Sequence, residues 1–224
     1  MISLLLRRRE AAIRSVLPTG YTQLEYIQQN PTGSYDTVYS LEYMLNGVDT
    51  VEVRAGFMPT DTQYSSSGGY VVGCRQTTTN NTIGFGVLVN QGVTVANCYD
   101  GTSNTIQPNN GNSFINQRID VIATKTPTGT TITDGTHSNS ITSTPRTMAT
   151  TLYVFGTQQY NNDRAQVTFK GRIYYVTVKE AGVTVIDIIP CQHDSDNAFG
   201  FYDIAQNRFI NITGTKYSAG PVVN

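Results

Sequence analysis

The sequence predicts an all-β protein, a sandwich or barrel of short strands preceded by one short helix. Three observations carry this. Apolar and polar residues alternate: Val51, Val53, Ala55 and Phe57 interleave with Thr50, Glu52, Arg54 and Gly56, the period of a half-buried strand. Turn signals recur at short intervals, at Asn46-Gly47, Asn90-Gln91-Gly92, Asp100-Gly101, Asn110-Gly111, Asp134-Gly135 and Ala181-Gly182, where backbone reversal favours Asn, Asp and Gly. Only 14% of the residues are charged while 38% are hydrophobic. Abundant Thr, Asn, Ser and Gln keep such a chain soluble, and its β-branched and aromatic residues argue for a packed fold rather than disorder.

In chain order, residues 2–16 form the only predicted helix. Ile2, Leu5, Leu6, Ala12, Ile13 and Val16 recur near helical spacing, and Pro18 and Gly20 end the run. So short a helix needs a partner for its apolar face, either another protein or its own domain. Strands are expected at 37–45, 51–57, 69–75, 82–89, 93–99, 117–124, 129–133, 151–157, 166–179, 183–189, 199–204 and 208–212, and exposed loops at 58–68 and 101–116. Many short strands of this spacing favour a sandwich or barrel over a βαβ fold. Within 166–189 apolar residues occupy both parities, Phe169, Ile173 and Tyr175 but also Val176 and Val178. That implies either a bulge or two covered faces.

The 224 residues suit one domain, 17–224, behind an N-terminal arm, 1–16. Charge divides the same way. Residues 1–15 carry Arg7, Arg8, Arg9 and Arg14 against Glu10, a net +3, and the rest carries 11 basic residues against 15 acids, a net −4. A basic amphipathic arm on a mildly acidic body points to docking in a protein groove. The body lacks the basic stripe of a nucleic-acid groove. No apolar run reaches membrane-spanning length. The opening Met1-Ile2-Ser3-Leu4-Leu5-Leu6 departs from a signal peptide, because its basic residues follow the apolar run. Cys74, Cys98 and Cys191, odd in number and irregular in spacing, read as free thilos of a protein folded in a reducing cytosol rather than a disulfide framework or a zinc site.

Two stretches resemble a known family. Leu17-Pro18-Thr19-Gly20-Tyr21-Thr22-Gln23-Leu24-Glu25-Tyr26-Ile27 resembles the "LPxGYTxLEYI" opening of laminin-G-like, concanavalin A-like domains of tailed-phage structural proteins and gut-bacterial surface proteins. Thr32-Gly33-Ser34-Tyr35-Asp36-Thr37 keeps part of the usual continuation and then departs from it. Near the other end, Phe169-Lys170-Gly171-Arg172-Ile173-Tyr174 resembles "FxGxIY", Ile189-Pro190-Cys191 resembles "IPC", and Gly200-Phe201-Tyr202-Asp203 stands where "GLYD" is usual. Gly214-Thr215 and Ala219-Gly220-Pro221 resemble the closing "GT…AGP". The resemblance implies a two-sheet jelly-roll sandwich with its N- and C-terminal strands adjacent. Residues 60–160 match no motif.

The fold so implied hosts lectins, hydrolases and inert modules, so candidate sites are weighed separately. A glycoside hydrolase needs two carboxylates across a cleft, and no strand shows a Glu-x-Asp pattern. Glu52 stands alone in its strand, and Glu25 lies within the family opening. His137 and His193 fall among turn residues, with no nucleophile placed beside either. The chain is therefore expected to be no enzyme and to need no cofactor. Asp194 and Asp196, in His193-Asp194-Ser195-Asp196-Asn197, are weak candidates for a hard cation, and the same residues serve an ordinary polar turn. Tyr64, Tyr70, Tyr99 and Tyr160 lie near expected loops and are the candidate glycan contacts. The partner-anchoring residues are Ile2, Leu5, Leu6, Arg7, Arg8, Arg9, Ile13 and Arg14. The resemblance implies a virion structural protein, a head-fibre, capsid-decoration or appendage subunit. Its arm would be held by capsid or other virion proteins, with homo-oligomerisation (a trimer as first guess) and adhesion to host-surface glycans. The alternative is a carbohydrate-binding surface module without a virion role. Neither nucleic acid nor membrane is an expected partner, and the expected location is the virion, assembled in the host cytoplasm.

Overall fold

A computed structural model describes residues 17–30, 43–44, 50–61, 69–77, 82–90, 93–100, 103–106, 113–142, 151–158, 165–166 and 169–223. The predicted helix at 2–16 lies outside them, and among the described residues there is no helix. The strands are β1 (Tyr21–Gln23), β2 (Ile27–Gln29), β3 (Tyr43–Met44), β4 (Val51–Pro59), β5 (Gly69–Thr77), β6 (Thr82–Asn90), β7 (Val93–Asp100), β8 (Ser103–Ile106), β9 (Ile119–Thr126), β10 (Gly129–Thr133), β11 (Ser138–Thr142), β12 (Thr151–Val154), β13 (Thr157–Gln158), β14 (Ala165–Gln166), β15 (Gly171–Glu180), β16 (Val183–His193), β17 (Phe199–Asp203), β18 (Arg208–Asn211) and β19 (Tyr217–Ala219).

Two large antiparallel sheets form a sandwich. The first has the order β11-β10-β9-β4-β15-β16-β17-β18, with β1 joined to β16 and β2 inserted between β15 and β19. The second has the order β3-β12-β5-β6-β7-β8. Both supply the core between them. Val53, Ala55, Phe57 and Val121 come from the first sheet, and Val72, Phe85, Val87 and Leu152 from the second. The alternation read in β4 is real: Val51, Val53, Ala55 and Phe57 are fully buried, while Glu52 and Arg54 are half-buried on the opposite face.

The mixed parity near β15 has two causes. The register of β15 against β4 shifts between Ile173 and Tyr175, so Ile173 and Val176 both enter the core although their numbers differ by an odd step. The outer face is also partly covered, because Tyr175, Ile189, Cys191 and Tyr202 join a second, smaller apolar cluster with Leu17, Tyr21 and Phe209.

The two motif-bearing ends of the chain meet, as the resemblance implied. Strand β19 pairs with β2, Tyr217 opposite Gln29, and an isolated bridge joins Leu24 to Val222. Backbone bonds run from Glu25 N to Pro221 O at 2.8 Å and from Gly220 N to Tyr26 O at 2.9 Å. The "FxG" spacing has a steric reason too: a Cβ on Gly171 would collide with the Met58 carbonyl and the Phe169 ring.

Several expected boundaries move. Strand β4 runs to Pro59, into the expected loop 58–68, and β8 lies inside the expected loop 101–116. Strand β11, Ser138–Thr142, was not expected. Four of its five residues are exposed, so it holds its place by backbone pairing with β10 and leaves no hydrophobic period to read.

Candidate functional site

The bulge in β15 places Tyr174 and Arg172 on the outer face of the first sheet, beside Tyr26 from the approach to β2. The Arg172 guanidinium carbon lies 4.2 Å from the centroid of the Tyr26 ring. That of Arg118, just before β9, lies 4.4 Å from the Tyr174 ring. The two rings meet edge to face at 5.8 Å. Each cation therefore sits over an electron-rich ring face, worth roughly 0.5–1 kcal/mol at an exposed site. Arg172 is further oriented by its Nε–H, which donates to Gln28 Oε1 at 2.9 Å, and Arg118 Nη2 stands 3.6 Å from Asp120 Oδ1. Tyr26 is backed by Gly220, where an added Cβ would press on the ring. Burial raises the pKa of Tyr174, only partly offset by the neighbouring Arg172, so its hydroxyl stays protonated and able to donate.

This ladder of two arginines and two tyrosines was not anticipated. Its tyrosines come from the family motifs, which read as structural, and its pairing depends on strands from both ends of the chain. The signal was present in the Arg-x-Tyr spacing of Arg172 and Tyr174, but the bulge hid which residues share a face.

The sequence candidates fare differently. Ile2, Leu5, Leu6, Arg7, Arg8, Arg9, Ile13, Arg14, Tyr64 and Tyr160 lie outside the described residues. Tyr99 has its backbone in β7 opposite Gly84 and Ser103. Tyr70 lies in β5, as the expected strand 69–75 has it, and is 3% exposed, so burial removes it from the glycan-contact set. Asp194 and Asp196 lie in the turn joining β16 to β17. Asp194 Oδ1 accepts from Thr22 Oγ1 at 2.7 Å. Asp196 Oδ1 accepts from Ala198 N at 3.0 Å and lies 3.0 Å from His193 Nδ1. The Ala198 amide and then His193 lower the pKa of Asp196. Both carboxylates thus serve the turn, and among the described residues no group of three or more His, Cys, Asp or Glu could hold a metal ion.

Other ionisable groups are placed where the sequence gave no hint. Glu52 is not alone: its Oε1 lies 2.7 Å from Arg54 Nε and 3.4 Å from Lys179 Nζ. Lys125 and Glu180 flank Val51 in one row across β9, β4 and β15. Both are buried, and Glu180 Oε2 accepts from the Tyr43 hydroxyl at 3.1 Å.

The thiols yield a test. Cys74 and Cys191 are buried thiols outside any disulfide, the Cys74 thiol donates to the Phe85 carbonyl at 3.4 Å, and burial, with the charge of Asp194, pushes Cys191 up to about 12. Cys74 and Cys98 both stand opposite Phe85, on either side of β6. Two strand spacings, about 9.6 Å, exceed the ~7 Å limit for a disulfide. In the native protein a thiol reagent should therefore leave Cys74 and Cys191 essentially unmodified, and three thiols should titrate after unfolding without reductant. A count of one would mean that a disulfide had formed.

No family model matches the chain, and no curated protein matches it. Similar solved structures exist. Domains LG4-5 of the mouse laminin alpha1 chain are 16% identical, with 73% of this chain and 44% of that chain covered and a TM-score of 0.48. Tailspike protein 2 of the Escherichia coli O157:H7 bacteriophage CAB120 is 12% identical, with 75% and 27% covered and a TM-score of 0.41. Scytalido-glutamic peptidase is 16% identical, with 83% and 98% covered and a TM-score of 0.36. The chain thus spans less than half the length of the laminin and tailspike structures it matches. The peptidase corrects the expectation that the chain is no enzyme, and that assignment is withdrawn. A search for Glu-x-Asp within single strands sees only groups that one strand presents, whereas Lys125 and Glu180 show that separate strands bring ionisable groups into one row. The motifs at the two ends of the chain lie in the strands that close its first sheet, and the described residues form the two-sheet antiparallel sandwich that the resemblance implied.

Proposed function

We propose that this chain is a structural protein of a tailed-phage virion, a head-fibre, decoration or appendage subunit that displays its sandwich outward for contact with the host surface. One observation carries the reading: the division between a basic, amphipathic segment at 1–16 and an acidic body. Among the described residues, strand pairing starts at Tyr21 and closes on the C-terminal strands. The partner of residues 1–16 is then a capsid or other virion protein with an acidic-rimmed apolar groove. Burying their Leu, Ile and Val side chains contributes roughly 1.5–3 kcal/mol for each one fully buried, offset in part by ordering the segment. A homo-oligomer, with a trimer as first guess, suits an appendage.

A chain beginning at Leu17 is expected to remain soluble and to unfold cooperatively, yet to be absent from purified particles. Ser at Leu5, Leu6 and Ile13 should have the same effect. Gln at Arg7, Arg8 and Arg9 should slow attachment in a salt-dependent way. Aggregation or loss of cooperative unfolding in the Leu17 chain would place residues 1–16 in the domain's own core and end the anchoring reading.

The outer-face ladder favours a second reading, a carbohydrate-binding surface module without a virion role. Normal particle incorporation of the Leu17 chain, together with saccharide binding, would favour it.

A further inference from the structure

We infer that the arginine–tyrosine ladder on the outer face of the first sheet is a binding site for an acidic saccharide, with Arg172 as the principal carboxylate ligand and Arg118 as its neighbour. The inference deepens the reading of the sandwich as a displayed surface module and rests on it.

The reasoning begins with what each group has left to offer. A guanidinium presents several N–H donors in a planar fork that matches a carboxylate. The Nε–H of Arg172 is committed to Gln28 Oε1, a further N–H engages the Tyr174 side chain, and its plane is held over the Tyr26 ring, which leaves the remaining Nη–H donors for a ligand. The ring in turn is seated against Gly220. Three elements thus fix this one side chain: β2 through Gln28, the C-terminal segment through Gly220, and β15 through its own backbone. An arginine immobilised before the ligand arrives loses less freedom on binding than a solvated one. Arg118 is held in the same manner over Tyr174.

Charge selects among anions. The arginines are accompanied by Asp120, 3.6 Å from Arg118, and by Glu25, exposed between β1 and β2 and close enough to Tyr174 for its charge to raise that pKa. Such a patch has no surplus positive field, so it suits no polyphosphate or densely sulfated chain, whose binding depends on a basic stripe. It suits one carboxylate at a time, taken by short charge-assisted hydrogen bonds and flanked by neutral polar groups. Those groups are present. The Gln28 amide, whose Nε2 donates to Asn30 at 2.8 Å, and the Tyr174 hydroxyl, which is engaged by Arg172 and reaches the weak Met58 sulfur at 3.9 Å, can exchange hydrogen bonds with sugar hydroxyls. Carboxylate and hydroxyls on one rigid ring are the chemistry of uronic and sialic acids. The tyrosine faces, already under guanidinium, are not offered for stacking, so recognition here is by hydrogen bonds.

The test uses the full chain and titrates it calorimetrically with oligogalacturonate, with sialyllactose, with a neutral galactan oligosaccharide and with inorganic phosphate. Binding of at least one acidic saccharide is expected, at least about tenfold tighter than the neutral one. Arg172→Gln should weaken it by roughly tenfold or more, Arg172→Lys should restore only part, since a point charge lacks the fork, and Arg118→Gln should weaken it by about threefold. Unchanged thermal unfolding of Arg118→Gln and Arg172→Lys shows that the losses are local. The proposal is overturned if neither acidic saccharide binds, if the neutral one binds equally, if Arg172→Gln binds as wild type, or if phosphate competes at equal concentration. Particle incorporation of the same variants stays normal in every case, so failure of this site is distinct from failure of the anchoring reading, which the Leu17 chain tests.

Discussion

Replacing Phe169 with alanine is expected to destabilise the sandwich by about 3–5 kcal/mol, the cost of removing a fully enclosed aromatic ring from a core that cannot collapse to fill the space. Phe169 is 0% exposed. Its ring meets Phe57 edge to face at 5.8 Å and stacks with Phe155 at 6.4 Å, and Phe155 extends the contact to Phe201 at 6.0 Å and Tyr217 at 5.8 Å. One ring therefore couples the first sheet to the segment after β12 and to the C-terminal strands. Phe155 is a sensitive neighbour, because it holds a φ of 65°, a conformation a bulky residue keeps only where its surroundings impose it. The buried Gln29, with its amide oriented to donate, bonds the carbonyls of Phe155 at 3.3 Å and Phe169 at 3.1 Å, tying the same corner together. For a domain of this size the loss corresponds to a fall of roughly 10 °C in melting temperature. Phe169→Leu, which leaves a smaller void, should cost less than half as much. Chemical denaturation of both variants checks the ratio. Equal, small effects would mean that the corner repacks and that the ring is not its keystone.

The second large effect is expected at Asp203, in the "GFYD" motif. Its Oδ1 accepts the amides of Asp187 at 3.1 Å, Ala205 at 3.1 Å and Gln206 at 3.4 Å. The carboxylate thus closes the turn after β17 and ties it to β16. The residue is 0% exposed, whereas Ala205 and Gln206 are exposed and Asp187 is half-buried, so alanine would remove a buried acceptor from three amides that water reaches in part. Bonds to a charged group contribute roughly 1.5–3 kcal/mol. Asp203→Ala should therefore cost about 1.5–3 kcal/mol. Asp203→Asn, which keeps an acceptor at the same place, should cost about half that. Urea unfolding of the two variants makes the comparison, with an unchanged m-value confirming that cooperativity is retained. If asparagine proved as damaging as alanine, the carboxylate's charge rather than its acceptor geometry would hold the turn.

Both residues lie in motifs that the sequence presents openly, and the structure supplies the reason for each. The spacing of Phe169 and Gly171 exists because the ring covers the glycine. Asp203 ends its motif because a turn needs a buried acceptor there. Alternation and turn chemistry are local properties, so β4, β10 and the Asp134-Gly135 turn were legible from neighbouring residues alone. At that turn Asp134 Oδ1 accepts the amides of Thr136 and His137 at 2.8 and 2.7 Å, and Gly135 takes a φ of 86°.

What the sequence by itself determined was the all-β class, most strand positions, and the adjacency of the two ends through their motifs. These follow from periods of two, from turn residues, and from side chains whose burial can be read without knowing their partners. The tertiary structure alone decided which residues share a surface. The bulge at Tyr174 reverses the parity of everything before it in β15. Tyr70, beside the expected loop 58–68, is buried near the start of β5. Arg118, Tyr174, Tyr26 and Arg172, drawn from three distant parts of the chain, become neighbours only when β2 is inserted beside β15. Register and strand order are set by pairings across more than a hundred residues, and a period read in one strand holds no information about them.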